Sequence, residues 1–337
     1  MNFRSDNSAS AAPEILAALA NANEGFAATY SEDPWSRRLD EAFSNLFERE
    51  VRVFTVASGT AANAIAVASL TPPWGAVLCH REAHIECDEC GAPEFYSGGA
   101  KLGLMEGAAA KVTPEAVAAV MARNGRSLHS AEPSAISISQ ANERGMAYRP
   151  DEVAAIGGVA RRFGLKVHMD GARFANAVAA LGCSPAEITW RAGVDLLSFG
   201  ATKNGALGAE AIVCFDLDLA AEIERRRKRG GHLLSKGRYI AAQLLAYIEG
   251  DLWLRLAARA NRLAQRLGEG AGACLSHAVE TNQVFVRLGV EALARLRAKG
   301  VEFYDWGAQG SGEIRLVVSW NQDEAEIEAM RALLASL

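Results

Sequence analysis

Residues 149–170 read RPDEVAAIGGVARRFGLKVHMD and join a predicted helix to a predicted strand. Pro150 and Asp151 suit a first helical turn, because proline lacks an N–H that would go unused there and a carboxylate favours the positive helix end. The run at 165–170 is nearly all apolar, which is typical of a strand covered on both faces. This succession of helix and strand indicates an α/β fold.

The same alternation recurs along the first two-thirds of the chain. Further apolar runs predict strands at 51–56, 75–80, 135–139, 195–200 and 210–216, with helical patterns that include 60–70 and 113–124. Such alternation predicts a doubly wound, mostly parallel central sheet with helices on both faces. Beyond about residue 217, long helices precede two more strands and a terminal helix. We therefore predict a large α/β domain with an N-terminal arm, residues 1–245, and a small C-terminal α+β domain, residues 246–337.

The composition is that of an ordinary globular chain. It has 337 residues, of which half are apolar and 22% are charged, and a formal net charge of −5. This balance gives no reason to expect a nucleic-acid or membrane partner. No uncharged apolar run reaches the ~18 residues of a membrane span, and the start, which carries Asp6 and Glu14, does not read as a signal peptide. Six scattered cysteines indicate reduced thiols, so we expect a cytoplasmic protein.

The residues that follow each predicted strand are the candidate site, because ligands of open α/β sheets bind outside the carboxyl ends of the strands. Ser58, Gly59 and Thr60 follow the first predicted strand and open a helix. Their hydroxyl and backbone N–H groups predict an anion site, although a plain helix cap explains them equally well. His84 follows the second strand.

Two later strand ends carry opposite charges. Asp170 ends the strand at 165–170 in an apolar setting, so its carboxylate needs a partner, and a salt bridge to Arg173 is the simplest one. Lys203 lies in LLSFGATKNGALG, residues 196–208, and a partly desolvated lysine amine is a nucleophile for carbonyls. Pyridoxal 5'-phosphate would use all four features, because it has a phosphate, a flat ring, a basic ring nitrogen and an aldehyde. These parts correspond in turn to the anion site, the ring-sized side chain, the carboxylate and the lysine.

These motifs resemble those of the low-specificity L-threonine aldolases, which are pyridoxal-phosphate enzymes of fold type I, the aspartate-aminotransferase-like group. The matching stretches span residues 3–320, and the most specific are HMDGARFANA at 168–177 and the lysine loop at 196–208. The resemblance implies a mostly parallel, seven-stranded central sheet with helices on both faces. It also implies a carbon–carbon lyase that cleaves L-threonine, L-allo-threonine or related β-hydroxy-α-amino acids such as phenylserine to glycine and an aldehyde.

The resemblance also implies a role for each matching position. Lys203 would hold the cofactor through an imine, Asp170 would pair with the ring nitrogen, and His84 would stack on the ring. The implied cofactor site comprises Ser58, Gly59, Thr60, His84, Asp170, Arg173 and Lys203, and the implied site for the substrate carboxylate comprises Ser5, Arg173 and Arg315. The implied catalytic residues are Lys203, His84, His129 and Asp170, with His129 or His84 taking the proton of the β-hydroxyl. No metal is expected.

Members of this group share active sites between subunits, so the resemblance implies a homodimer or homotetramer, with the segment at 225–238 reaching across. The chain departs from its relatives there, because Leu234 stands where many carry an arginine, and Lys236 or Arg229 would have to supply the cation. Asn204 also replaces the glycine that often follows the lysine.

Three alternatives stay open. An aminotransferase or a β-eliminating lyase would use the same cofactor for another reaction, and a catalytically silent binding protein would use the same fold. A zinc module would instead use Cys87, Cys90 and His84 as ligands.

Overall fold

The computed structural model describes residues 1–124 and 128–337. Its strands are β1 (Arg52–Val56), β2 (Gly75–His80), β3 (Lys101–Met105), β4 (Glu132–Ser139), β5 (Lys166–Gly171), β6 (Leu196–Gly200), β7 (Glu210–Cys214), β8 (Gln283–Arg287), β9 (Tyr304–Asp305) and β10 (Glu313–Val317). Its α-helices are α1 (Pro13–Ala22), α2 (Pro34–Phe47), α3 (Gly59–Leu70), α4 (His84–Cys87), α5 (Ala92–Ser97), α6 (Pro114–Asn124), α7 (Pro150–Phe163), α8 (Phe174–Leu181), α9 (Ala220–Arg229), α10 (Arg238–Ile248), α11 (Leu252–Glu269), α12 (Val290–Ala298) and α13 (Glu324–Ala335).

The central sheet has seven strands in the order β1-β7-β6-β5-β4-β2-β3. Strands β2 to β6 pair in parallel, whereas β7 runs antiparallel to both of its neighbours, β6 and β1. The predicted mostly parallel seven-stranded sheet is confirmed. The edge strand β3 was not predicted, because its sequence KLGLM is half exposed and lacks the continuous apolar run of the inner strands.

Helices cover both faces of this sheet, as the alternation of side chains along each strand requires. In β6, Leu196 packs with α3 and α9 on one face, and Leu197 packs on the other face with α2, α7 and α8. Phe199, also on that second face, meets Phe43 edge to face at 5.1 Å. Inner strands such as β6 are therefore buried on both sides, and packing fixes the positions of the residues at their ends.

A second sheet, in the order β8-β10-β9, forms a separate core with α12, α13 and part of α11. Phe3 is fully buried in this core, and Asn2 forms a parallel bridge to Glu302. The first residues of the chain thus pack against the second sheet, although they fall within the large domain that we predicted. The division at 245/246 stays a prediction. No helix of residues 1–124 and 128–337 is long and apolar enough to cross a membrane.

Helix α7 lies very close to the turn that precedes β6. A Cβ atom at Gly157 would lie 2.0 Å from the carbonyl oxygen of Ala192, whereas one at Gly158 would meet no atom within 4 Å. Backbone-to-backbone packing therefore requires glycine at the first position only.

We expect Gly157→Ala to destabilise the fold, because the helix must move off the turn and overpacking costs about 1–3 kcal/mol. The matched variant Gly158→Ala should be neutral or stabilising by up to about 1 kcal/mol, since alanine favours a helix interior over glycine. The midpoints of urea unfolding compare the two. Equal midpoints for both variants would contradict this account of α7.

Candidate active site

Asp170 is the central group of the site. It lies at the end of β5, in register with Ser139 of β4 and Ser198 of β6. Its buried carboxylate accepts hydrogen bonds from Asn63 Nδ2 at 2.8 Å and from the Ala172 N–H at 2.9 Å. Burial raises the pKa of Asp170, but the charge of His84, the Ala172 hydrogen bond and the charge of Lys203 outweigh burial and leave the pKa below its ordinary value. Asp170 is therefore an ionised carboxylate in a buried setting.

Arg173 is not the partner of Asp170, so the simple salt bridge considered above is wrong. The Arg173 guanidinium instead binds Asp6 through two parallel hydrogen bonds, Nε to Oδ2 at 2.8 Å and Nη2 to Oδ1 at 2.9 Å. Asn282 donates a further hydrogen bond to Asp6 at 3.0 Å. Ser5 accepts from the Asn7 N–H at 3.2 Å and so caps the short turn that carries Asp6. The N-terminal arm thereby enters the site.

Lys203 lies in a short helical turn directly after β6, and the turn that carries Asp6 packs against it. Burial, followed by the positive charge of Arg173, lowers the pKa of the Lys203 amine, while Asp6, Asp170 and Glu210 act in the opposite direction. The lower pKa increases the fraction of neutral amine, which is the nucleophilic form.

Asn204, which replaces an expected glycine, anchors this turn. Its buried amide donates to Tyr247 Oη at 2.7 Å and to the Trp253 carbonyl oxygen at 2.8 Å. These bonds tie the backbone next to Lys203 to the end of α10 and the start of α11. The departure from the family pattern therefore adds an anchor rather than removing one.

His84 begins the short helix α4 and points its ring toward Asp170. Its Nδ1 lies 2.9 Å from Glu89 Oε1, and its backbone N–H donates to Glu143 at 2.9 Å. The hydrogen bond to Glu89 raises the pKa of His84, burial opposes this, and the net shift is upward. Asn63 links the pair to Asp170, since its amide also donates to Glu89 Oε1 at 2.8 Å.

The helix α3 presents its positive end beside these groups. Ser58 caps it by accepting from the Ala61 N–H at 3.2 Å, and the N–H groups of Gly59 and Thr60 belong to its first turn. A Cβ atom at Gly59 would meet nothing within 4 Å, so the space before the helix is open. A helix terminus with free N–H groups and open space is suited to a phosphate.

Arg315, on β10, adds a cation from the second sheet. Its guanidinium lies 4.4 Å from the centre of the Trp306 ring, and its Nε is buried with no hydrogen-bond partner among the described residues. Burial, and next the charge of Arg173, lower the pKa of Arg315 to about 10. A half-buried guanidinium with a donor that is unpartnered among the described residues is suited to a carboxylate of a ligand.

The structure does not bring His129 to this site within its own chain. His129 lies in an exposed turn before β4, at the amino end of that strand. The strand separates it from the carboxyl edge by roughly 20 Å. Within one chain His129 therefore lies at the opposite edge of the sheet from Lys203, and its role as a base stays a prediction.

The zinc ligands proposed for the alternative module do not converge either. Cys87 and Cys90 are exposed and unpaired. Among residues 1–124 and 128–337, one group could hold a metal ion: His84, Glu89 and Asp170, whose possible ligand atoms lie within 4.8 Å of one another. The amide of Asn63 already donates hydrogen bonds to both carboxylates of this group.

The residues present fit pyridoxal phosphate on structural grounds. Asp170 is ionised and buried, and no guanidinium or ammonium ion of the described residues pairs with it, which suits a protonated ring nitrogen. The half-buried Lys203 amine suits the aldehyde, and the open space beside Gly59 at the start of α3 suits the phosphate. His84 lies between them as a flat ring. Sequence reasoning missed four acidic residues here, which are Asp6, Glu89, Glu143 and Glu210. Glu89 and Glu210 do not directly follow a strand, and Asp6 is distant in sequence from Arg173, whereas Glu143 follows β4 at the same spacing as His84 follows β2 and was simply not considered.

Comparison with known proteins agrees with this geometry. Residues 2–290 match the family described as beta-eliminating lyase. The chain is 44% identical to a low specificity L-threonine aldolase of Pseudomonas aeruginosa over 98% of this chain and 95% of that protein. It superposes on a threonine aldolase of Leishmania major with a TM-score of 0.93 and 28% identity, covering 99% of this chain and 98% of the other.

An aspartate aminotransferase of Rhodobacter sphaeroides shares the fold at a TM-score of 0.72 and 15% identity, covering 100% of this chain and 92% of the other. The predicted fold class, fold type I of the pyridoxal-phosphate enzymes, is thereby confirmed. The chain belongs to the low-specificity L-threonine aldolases within the beta-eliminating lyase family.

Proposed function

We propose that this protein cleaves L-threonine, L-allo-threonine or related β-hydroxy-α-amino acids to glycine and an aldehyde, with pyridoxal phosphate as its cofactor. The observation that carries the proposal is the convergence of three groups: the ionised Asp170, the half-buried amine of Lys203 and the guanidinium of Arg315, whose Nε has no hydrogen-bond partner among the described residues. Sequence identity of 44% to a low specificity L-threonine aldolase supports the same reaction class.

The cofactor, when bound, supplies an aldehyde for the substrate amine and a ring that accepts the electrons of the broken Cα–Cβ bond. The protein's task is to place that bond perpendicular to the ring. Arg315 would bind the substrate carboxylate, and Arg173 would assist through Nη1, since its Nε and Nη2 already bind Asp6. Asp170, as an anion, would hold a protonated ring nitrogen and so favour the form of the ring that accepts electrons.

His84 is our candidate for the base that takes the β-hydroxyl proton. Its Nδ1 is engaged with Glu89, which leaves Nε2 to face the substrate. The hydrogen bond to Glu89 holds the pKa of His84 above its ordinary value, which makes this imidazole a stronger base.

We also propose a homodimer or homotetramer with shared active sites, and a cytoplasmic location that suits the six free cysteines. In the segment at 225–238, Arg229, Leu234 and Lys236 are exposed, so the two cations are accessible to another subunit. His129 would likewise enter only the site of a neighbouring subunit. Light scattering tests this assembly, which a monomer in solution would contradict.

The nearest alternatives keep the cofactor and change the reaction to transamination or β-elimination. Incubation with L-threonine separates them, because glycine and acetaldehyde form together only by aldol cleavage. A panel of threonine, allo-threonine, phenylserine and serine, with the aldehyde measured, would then define the preferred side chain. A silent binding protein would release no product from any of them.

We expect Lys203→Ala to abolish aldehyde release from L-threonine, because the side chain that carries the cofactor is lost. The control is Lys101→Ala, which removes an exposed amine from the edge strand β3 and should leave the rate unchanged. Aldehyde formation at saturating substrate measures both. Wild-type turnover by the Lys203 variant would overturn the proposed mechanism.

We expect Glu89→Gln to move the acidic limb of the kcat/KM profile to lower pH. The base must be neutral to act, so activity rises as His84 loses its proton, and Glu89 is the main cause of its raised pKa. Removing the carboxylate lowers that pKa, and the limb should shift by about 1 pH unit. Glu86→Gln, on the exposed side of the same segment, should leave the profile in place. A shift toward higher pH would exclude His84 as the base.

A further inference from the structure

Glu210 reaches the active-site edge because its strand runs backwards. Strand β7 is antiparallel to both neighbours, so its first residue, not its last, lies where β1 and β6 end. Glu210 is in register with Val56 on one side and Gly200 on the other. It therefore lies between the strand that leads to the helix cap at Ser58 and the strand that leads to Lys203.

The Glu210 carboxylate holds the residue that precedes the lysine. Its Oε1 accepts from the Thr202 N–H at 3.2 Å, and the Thr202 hydroxyl also hydrogen-bonds to it. Thr202 Oγ1 in turn accepts from the Ala209 N–H at 3.1 Å, so the hydroxyl proton is available to the carboxylate. Both ends of the loop between β6 and β7 are thus tied to one buried acid.

The charged and titratable side chains around Glu210 come from three elements. They are Lys203 on the turn after β6, Asp170 on β5 and Tyr247 on α10. Burial raises the pKa of Glu210 to about 7, against the opposing effects of Thr202 and Lys203. Burying a carboxyl group destabilises the fold unless the group is paired with a cation or forms hydrogen bonds. Among the neighbours of Glu210 named here, Lys203 is the cation. The proposed mechanism assigns no role to Glu210.

We propose that Glu210 is a positioning residue for Lys203: it fixes the lysine turn through Thr202, and its negative charge favours the protonated form of the nitrogen that carries the cofactor. This inference rests on the proposed use of pyridoxal phosphate and deepens it. Gln would keep the hydrogen bonds to Thr202, since its amide oxygen accepts and its NH₂ can donate to the hydroxyl oxygen, but Gln carries no charge.

The test is a pH titration of the visible absorption band of the cofactor-loaded protein. In Glu210→Gln we expect the cofactor to bind and the titration midpoint to fall by about 1 pH unit, because an opposite charge nearby shifts a pKa by about that much or more. Glu210→Asp, which keeps the charge, should restore most of the midpoint. A purely structural role would leave the midpoint of the Gln variant at the wild-type value, and that result would overturn the inference.

Two further variants complete the design. Asp195→Asn removes a part-buried carboxylate at the opposite end of β6, where it binds Lys166 and the Val167 N–H, and should leave the midpoint unchanged. If the Gln variant does not fold, Glu210→Met keeps the volume without charge, an exchange that buried sites often tolerate, and should lower the midpoint equally. Wild-type protein that forms no visible band with pyridoxal phosphate would instead overturn the proposed function itself.

Discussion

The active site is organised around the free-energy cost of burying one ionised carboxylate, that of Asp170. Asp170 is buried near the end of a central strand, and no lysine or arginine of residues 1–124 and 128–337 forms a direct ion pair with it. The protein compensates with an amide from Asn63, a backbone N–H and two cations at longer range. Such a group binds a protonated heterocycle strongly because that ligand supplies the missing charge. The positions of the neighbouring helices α3 and α4 follow from the need to bring these partners to the strand end.

The sequence predicted most of this arrangement because the parallel strands are continuous apolar runs that end in polar residues. The rule that ligands lie beyond the carboxyl ends identified Ser58, His84, Asp170 and Lys203. The rule does not select His129, because this residue precedes the parallel strand β4 and so lies at the amino edge of the sheet.

The acids that the sequence reasoning missed have a different physical cause. Glu210 precedes its strand and reaches the site only because β7 is antiparallel, a property of pairing that a single chain does not display. Glu89 approaches His84 through the fold of the short helix α4 and the turn that follows it. Asp6 was overlooked as the partner of Arg173 because 167 residues separate them. The topology of the fold decides which distant charges pair, so the spacing of residues along the sequence does not reveal these pairs.

The anchor at Asn204 has a mechanical consequence. Its amide joins the backbone beside Lys203 to the Trp253 carbonyl, and Trp253 lies in the first turn of α11, the helix that continues into the second core. Loss of this amide would free the backbone beside Lys203 from α10 and α11 at once, so a change at a residue that touches no ligand would loosen the position of the reactive nitrogen.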